Sequence, residues 1–472
     1  MTIRFQNTLT GAKEEFQPLH PGRVSMYTCG PTVWNYAHVG NYRALLFYDL
    51  LRRHLGFSGF EVAHVTNVTD VDDRIIEQAV LKGQTLREYV QPYEDAFFED
   101  LTALRAQPAE FYPRATGHIE EMVLLVGKLL ETGHAYEAEG GVYFRISSFP
   151  AYGRLSRLDR SGLRTGARVA TDKYEKESAT DFALWKRSEA GDELVGASWD
   201  APFGRGRPGW HIECSAMAMR YLGETLDVHA GGVDLLFPHH ENEIAQSEAA
   251  TGQPFSRYWL HSEFVTDATG AKMSKSVGNI ATLRELLAAG HEPLAVRYLL
   301  IAAAHYRSKL RLTDEALHSS AEQVRRLRDF ADRVRRLEPE AGLDDAFLAR
   351  QAEDVRGHYR AALDDDLNLP QGLGYVFDLV RDANAALDAG SVGAAGRTAL
   401  LALLADVDAH LDILSVEDDA LDAEEEQLLA EREEARRARD FALSDRLREE
   451  LRKRGIVLED SKGGVRRRRV RP

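Results

Sequence analysis

Cysteine is almost missing: 472 residues contain two, Cys29 and Cys214. Two thiols allow at most one disulfide, or two buried free cysteines that pack as small apolar side chains. Long apolar runs are missing too. None approaches the roughly 20 residues of a membrane helix, so no membrane partner is expected. The first residues, Met-Thr-Ile-Arg-Phe-Gln-Asn-Thr, lack the apolar core of a signal peptide. Both absences predict a cytoplasmic protein whose thiols stay reduced, which favours thiolate chemistry over a bridge. Excess positive charge is also lacking. Lys and Arg number 59 against 75 Asp and Glu, for a net charge of −16. On charge alone such a chain suits a polyanion poorly, so any nucleic-acid contact needs segregated basic residues. The final stretch supplies them, in Gly463-Gly-Val-Arg-Arg-Arg-Arg-Val-Arg-Pro472. Such a run reads equally as a solvated tail or as an RNA contact.

What is present is ordinary globular composition, 44% hydrophobic. The length has room for about two to four domains. Residues 1 to about 110 alternate apolar strands with amphipathic helices. Stretches 25–28 and 61–66 read as strands. Stretch 43–55 reads as a helix with Ala44, Phe47, Leu50 and Leu51 on one side. That is a βαβ pattern, which predicts a parallel sheet. Residues near 140–205 are polar and irregular and read as an insertion. Strand signals resume at Leu226-Asp-Val-His and Tyr258-Trp-Leu-His. From about Leu283 onward nearly everything has helical period. A small-residue loop is expected at 390–396, and a charge-laced helical segment or hairpin at 424–454.

Both cysteines sit where a metal would find other ligands. Cys29 closes the run Met26-Tyr-Thr-Cys-Gly. Cys214 ends Gly209-Trp-His-Ile-Glu-Cys, and Phe237-Pro-His-His-Glu-Asn-Glu243 follows soon after. Two thiolates, an imidazole and a carboxylate are ligand types that zinc accepts. His239 and Glu243 are four apart and share a face on a helix.

Two further stretches suggest a nucleotide. Directly after the first strand comes Cys29-Gly-Pro-Thr-Val-Trp-Asn-Tyr-Ala-His38-Val-Gly40-Asn41. A strand, a glycine-bearing turn and a helix start form an anion site, where free N–H groups and the helix dipole meet a phosphate. His38 and Asn41 are three apart there and can donate to one phosphate chain. Gly40 removes a side chain and lets a nucleotide approach. The second stretch is Lys272-Met-Ser-Lys275-Ser. Its two lysines can offset charge developing on a triphosphate. The bland alternative is a solvated basic loop.

These paired stretches resemble the His-Ile-Gly-His and Lys-Met-Ser-Lys-Ser signatures of class I aminoacyl-tRNA synthetases. With the candidate metal ligands, the chain resembles the cysteinyl-tRNA synthetase family. The likeness runs through Asn7-Thr-Leu-Thr, Asn67-Val-Thr-Asp-Val-Asp-Asp, Gly206-Arg-Pro-Gly-Trp-His-Ile-Glu-Cys, Ala304-His-Tyr-Arg-Ser, Leu363-Asp-Asp-Asp-Leu-Asn and Gly455-Ile-Val-Leu-Glu-Asp, essentially the whole chain. It departs at Asn41, where the signature has His and where an acid role is lost. It departs also at Val233, where Ser is usual, and at Val465, where the family often has Trp.

The resemblance implies an α/β fold: a Rossmann-type parallel-sheet catalytic domain with an insertion, then an α-helical bundle and a small C-terminal domain. The expected boundaries are 1–140 and 206–265 for the catalytic halves and 141–205 for the insertion. A connecting region is expected at 266–315, the bundle at 316–418 and an anticodon-recognition domain at 419–472. Cys29, Cys214, His239 and Glu243 would bind one Zn²⁺, to which the substrate thiolate adds. His38 and Asn41, near Gly40, would bind the phosphates of ATP, which Mg²⁺ accompanies. Lys272 and Lys275 would stabilise pyrophosphate departure. Thr69, Trp210 and Asp234 would hold the amino and carboxylate groups of L-cysteine. The implied partner is tRNA(Cys), and the expected state is a monomer. A hydrophobic pocket separates near-isosteres by only about 1–3 kcal/mol, whereas zinc prefers a thiolate strongly to an alcohol. No editing domain is therefore expected.

Two other readings stay open from sequence. One is a cysteine ligase with an amino-sugar acceptor, against which stands the helical C-terminal third. The other is a silent paralogue that only binds RNA, against which stand the intact Lys272, Lys275, His38 and zinc quartet.

Overall fold

The computed structural model describes residues 2–157, 181–271, 281–339, 343, 345–414, 423–438, 440–454, 456–461 and 464–469. Its contacts divide the chain into two compact units, Met1–Leu411 and Asp412–Pro472.

The first unit opens with a small antiparallel pair, β1 (Arg4–Gln6) and β2 (Lys13–Glu15). Next come β3 (Arg23–Thr28), helix α1 (Val39–Phe57) and β4 (Glu61–Thr66). β3 and β4 pair in parallel, with Met26 opposite His64 and Tyr27 opposite Val65. The antiparallel strands β5 (Ala135–Ala138), β6 (Gly141–Phe144), β7 (Phe182–Arg187) and β8 (Gly206–Pro208) form a second sheet in that order. The stretch that reads as irregular from sequence is therefore partly strand. β9 (Leu226–Gly232) and β10 (Ser256–Ser262) complete the parallel sheet, whose order is β10-β9-β3-β4. The crossover from β3 to β4 through α1 is the expected βαβ unit.

Burial explains why these elements form. Met26, Tyr27, Val65, Val228, Trp259 and Leu260 are essentially inaccessible, so the strands are covered on both faces. α1 contributes Tyr42, Leu46, Phe47, Leu50 and Leu51 to the same core. Its start is fixed by a reciprocal cap: His38 Nδ1 accepts from the Asn41 N–H at 3.3 Å, and Asn41 Oδ1 accepts from the His38 N–H at 3.0 Å.

A short parallel pair, β11 (Val265–Thr266) with β12 (Leu310–Arg311), follows the sheet. Then come helices Asp314–Arg336, Ala346–Asp364, Leu369–Asp388 and Ala394–Leu411. Of the expected loop at 390–396, residues 390–393 fall between the last two, and 394–396 begin the last helix. Buried Arg297 joins this bundle to α1: it donates to Leu411 O at 2.6 Å and to Asp49 Oδ2 at 2.6 Å.

The second unit has helices Ala423–Arg437 and Phe441–Lys453, then a hairpin of β13 (Ile456–Ser461) and β14 (Gly464–Arg469). Its centre is Leu451 and Ile456, packed by Leu428 and Leu429. Helical period does not continue to the end, and residues Arg466 to Arg469 belong to a paired strand rather than to a tail. Val465 lies on that strand opposite Asp460.

Candidate metal centre and nucleotide site

The candidate ligands gather on the carboxyl side of the parallel sheet, where open α/β sheets place their sites. Cys29 directly follows β3. Cys214 lies in helix Trp210–Leu222. His239 sits on an irregular turn, 236–240, and Glu243 in the first turn of helix Glu241–Thr251. The ligand atoms of Cys29, Cys214, His239 and Glu243 all lie within 4.8 Å of one another, and all four residues are buried.

Three of the six edges of that group are 3.9 Å between the two sulfurs, 3.8 Å from Cys29 Sγ to Glu243 Oε1, and 3.0 Å from His239 Nε2 to Glu243 Oε1. A tetrahedron with bonds of about 2.0–2.3 Å has edges of about 3.3–3.8 Å. The donor set is that of a tetrahedral metal site, and these three edges lie within about 0.3 Å of that range.

Four further histidines surround this group. His229 Nε2 meets Glu243 Oε2 at 2.9 Å. His211 Nδ1 meets His239 Nδ1 at 2.9 Å. His240 Nε2 lies 3.3 Å from Cys29 Sγ, and its Nδ1 meets His261 Nε2 at 2.8 Å. His261 Nδ1 in turn meets Thr8 Oγ1 at 2.8 Å. Cys29, His229, His240 and Glu243 form a second group of candidate ligand atoms. That set carries one thiol where the first carries two. The His229 and His211 contacts suit partners that orient ligands from behind.

Residue type and spacing alone do not mark these histidines as site residues. The signal is a histidine inside each of two strand runs, His229 in Leu226-Asp-Val-His and His261 in Tyr258-Trp-Leu-His. Room for His240 depends on Gly231, because a Cβ there would lie 2.4 Å from the His240 Cε1.

Electrostatics separate the four central groups. Burial pushes Glu243 up, but His229 and His239 overcome it and hold the carboxyl at about 2. Burial pushes His239 down, yet Glu243 and Cys214 raise it to about 10. The hydrogen bond from Cys29 brings Cys214 down to about 6 against burial. Burial, with Cys214 and Glu243, keeps Cys29 well above the ordinary thiol range. Without metal the cluster is thus a thiolate and a carboxylate facing an imidazolium and a thiol.

The other sequence-predicted residues fall as follows. Trp210 begins its helix, 38% exposed, and its ring stacks on His239 with centroids 4.2 Å apart. Thr69 is buried; its hydroxyl donates to Glu213 Oε2 at 3.1 Å and lies 3.1 Å from Asn67 Nδ2. Asp234 is exposed on the 3₁₀ turn Val233–Leu235 after β9. His38, Gly40 and Asn41 form the first turn of α1. A Cβ at Gly40 would lie 2.9 Å from the His38 ring, so this glycine makes room for the cap. Because His38 Nδ1 accepts the cap bond, the neutral ring carries its proton on Nε2 and is a donor there. Lys272 and Lys275 lie outside the described residues. The chain beyond them returns to this place: Val39 N–H donates to Ala281 O at 3.0 Å, and His38 bridges Thr282.

The parallel sheet, the capped helix behind β3 and the cluster at the strand ends define a class I aminoacyl-tRNA synthetase. Residues 15–322 match the class I (C) tRNA synthetase catalytic domain. Residues 358–415 match the DALR domain, and 418–468 the cysteinyl-tRNA ligase anticodon binding domain. The chain is 49% identical to the cysteine–tRNA ligase of Solibacter usitatus, with 99% of both chains covered. It is 44% identical to that of Koribacter versatilis, again over 99% of both. Among solved structures, methionyl-tRNA synthetase of Mycobacterium tuberculosis bound by methionyl-adenylate superposes with a TM-score of 0.62 at 17% identity, over 84% of this chain and 92% of that one. That likeness concerns the fold alone. The chain belongs to the cysteine–tRNA ligase family, and its activity is the ATP-dependent charging of tRNA with cysteine. Among the described residues, no helix is long and apolar enough to cross a membrane.

Proposed function

We propose that Cys29, Cys214, His239 and Glu243 hold one zinc ion per chain, and that this ion gives the enzyme its choice of cysteine over serine. The observation that carries the reading is the buried four-ligand group, with two sulfurs 3.9 Å apart. When bound, zinc supplies a soft Lewis acid that prefers a thiolate to a neutral alcohol.

The chain's own residues do the rest. Trp210 covers His239 and walls the amino-acid site. Thr69 and Asp234 bind the amino and carboxylate groups of the substrate. The cysteine carboxylate oxygen bonds to the α-phosphorus of ATP. The bond from that phosphorus to its β-bridging oxygen breaks, and pyrophosphate leaves with the electron pair. His38, through Nε2–H, and Asn41 hold the phosphates at the start of α1, beside Gly40. Lys272 and Lys275 offset the growing negative charge, and Mg²⁺ travels with ATP. A ribose hydroxyl of the tRNA end then attacks the carbonyl of the cysteinyl-adenylate, and AMP departs. Asn41 has no acidic proton, so its part is positioning.

The reading extends to a cytoplasmic monomer. Its catalytic halves are 1–140 and 206–265, its insertion 141–205 and its connecting region 266–315. Residues 316–418 and 419–472 bind tRNA(Cys). The test is ATP–pyrophosphate exchange with cysteine or serine as the amino acid. Exchange with cysteine alone is expected. Equal exchange with serine contradicts zinc-based choice.

A further inference from the structure

Two stretches quoted from the sequence, 304–308 and 363–368, take no part in the metal or nucleotide site, yet they meet. Asp366 stands at the turn between bundle helices Ala346–Asp364 and Leu369–Asp388. Its φ is 69°, and that of Leu367 is 56°. Left-handed backbone at two successive non-glycine residues persists only where contacts over-determine it. Here they do. Asp366 Oδ1 accepts from the Gln6 N–H at 2.9 Å and from the Tyr306 hydroxyl at 2.6 Å. Its Oδ2 accepts from Arg307 Nε at 2.7 Å, and its carbonyl meets His305 Nε2 at 2.8 Å. The carboxylate is 1% exposed, and its donors satisfy it.

The same stretch, 304–308, is also gripped by Arg43, which lies on α1 five residues past His38. This guanidinium is 1% exposed and binds only carbonyls: Glu263 at 3.1 Å, Leu300 at 2.6 Å, His305 at 3.0 Å and Ser308 at 2.7 Å. Glu263 N–H also donates to Tyr306 O at 2.8 Å, just before β11 pairs with β12. One short segment therefore ties the helix of the nucleotide site to the turn of the bundle.

We infer that residues 304–308 splice the bundle to the catalytic fold, and that Asp366 is a positioning residue for the transfer of cysteine to tRNA. Cysteine activation uses the catalytic fold alone, and Arg43 keeps that fold together. Transfer also needs a tRNA held by the bundle to present its end at the nucleotide site. The splice sets that span, and a misplacement of about 1 Å at a reacting centre costs about 100-fold in rate.

The test uses the full chain carrying Asp366→Asn, which keeps the side-chain shape and faces Arg307 and Tyr306 with a weaker, neutral partner. A second variant, Tyr306→Phe, removes one hydroxyl only, so the test survives if the first variant folds poorly. Cysteine-dependent ATP–pyrophosphate exchange should stay within about twofold of the parent, while kcat/KM for tRNA charging falls about tenfold or more. A parallel fall in both activities in whichever variant unfolds at the same temperature as the parent overturns the inference. So does unchanged charging. The parent's own exchange activity separates this outcome from a failure of the zinc reading.

Discussion

His229 Nε2 lies 2.9 Å from Glu243 Oε2, while the other oxygen of the same carboxylate lies 3.0 Å from His239 Nε2. One histidine in the middle of β9 thus fixes the orientation of a candidate ligand on a different element. Substituting His229→Ala leaves all four proposed ligands in place. Zinc affinity should fall about 10- to 100-fold. Competition with a chromophoric chelator measures it, and unchanged affinity shows that the histidine only fills space.

Proton release on metal uptake follows from the charge states of the cluster. His239 is held up at about 10 and Cys29 well above the ordinary thiol range, so both carry protons near pH 7.5. Cys214, at about 6, and Glu243, at about 2, do not. Zinc binding to metal-free protein should release one proton from His239 and one from Cys29. Calorimetry in buffers of different ionisation enthalpy counts them. Release of none contradicts this ligand set.

The same shifts make metal-free stability depend on pH in two windows. Glu243 is depressed from its ordinary 4.5 to about 2: burial raises it, but His229 and His239 prevail. Its contribution is full above about 4.5 and is lost as pH falls through about 2. His239 is raised from 6.5 to about 10, with Glu243 and Cys214 overcoming burial. Its contribution is full below about 6.5 and is lost as pH rises through about 10. Urea midpoints of metal-free protein should peak between these windows, and a midpoint flat from about pH 3 to pH 9 argues against the charge assignment.

Strands β3 and β4 were legible because Val24, Met26 and Tyr27, and Val62 and Val65, stand in short runs rich in strand-forming residues. β5 to β8 were harder to read, since polar residues interrupt the stretch that holds them. The β13–β14 hairpin reads as helix or tail because Arg466 to Arg469 have no apolar period. Their pairing with 456–459 is a backbone fact that composition does not carry. The four ligands stood out by residue type. Arg43 and Asp366 did not, because buried charged residues look like surface ones until their partners are known.

Gly231 makes the packing behind the metal group testable. A methyl at this position meets the His240 ring at 2.4 Å. Gly231→Ala should displace that ring, raise the KM for cysteine and destabilise the fold by about 1–3 kcal/mol. Thermal unfolding and exchange kinetics check both effects, and parent-like behaviour in each argues that the ring moves without consequence.

Arg43→Lys replaces a forked donor to four carbonyls with a single ammonium of three donors. Pyrophosphate exchange should slow by about tenfold or more with the KM for cysteine little changed, since the nucleotide helix loses its anchor. Steady-state exchange kinetics separate the two parameters; a change confined to KM contradicts a positioning role.

The most direct measurement compares tRNA charging with cysteine and with serine by zinc-loaded and metal-stripped protein. The account predicts that loaded protein charges cysteine and not serine, that stripping abolishes cysteine charging, and that added zinc restores it. Stripped protein that still charges cysteine and still rejects serine would contradict it.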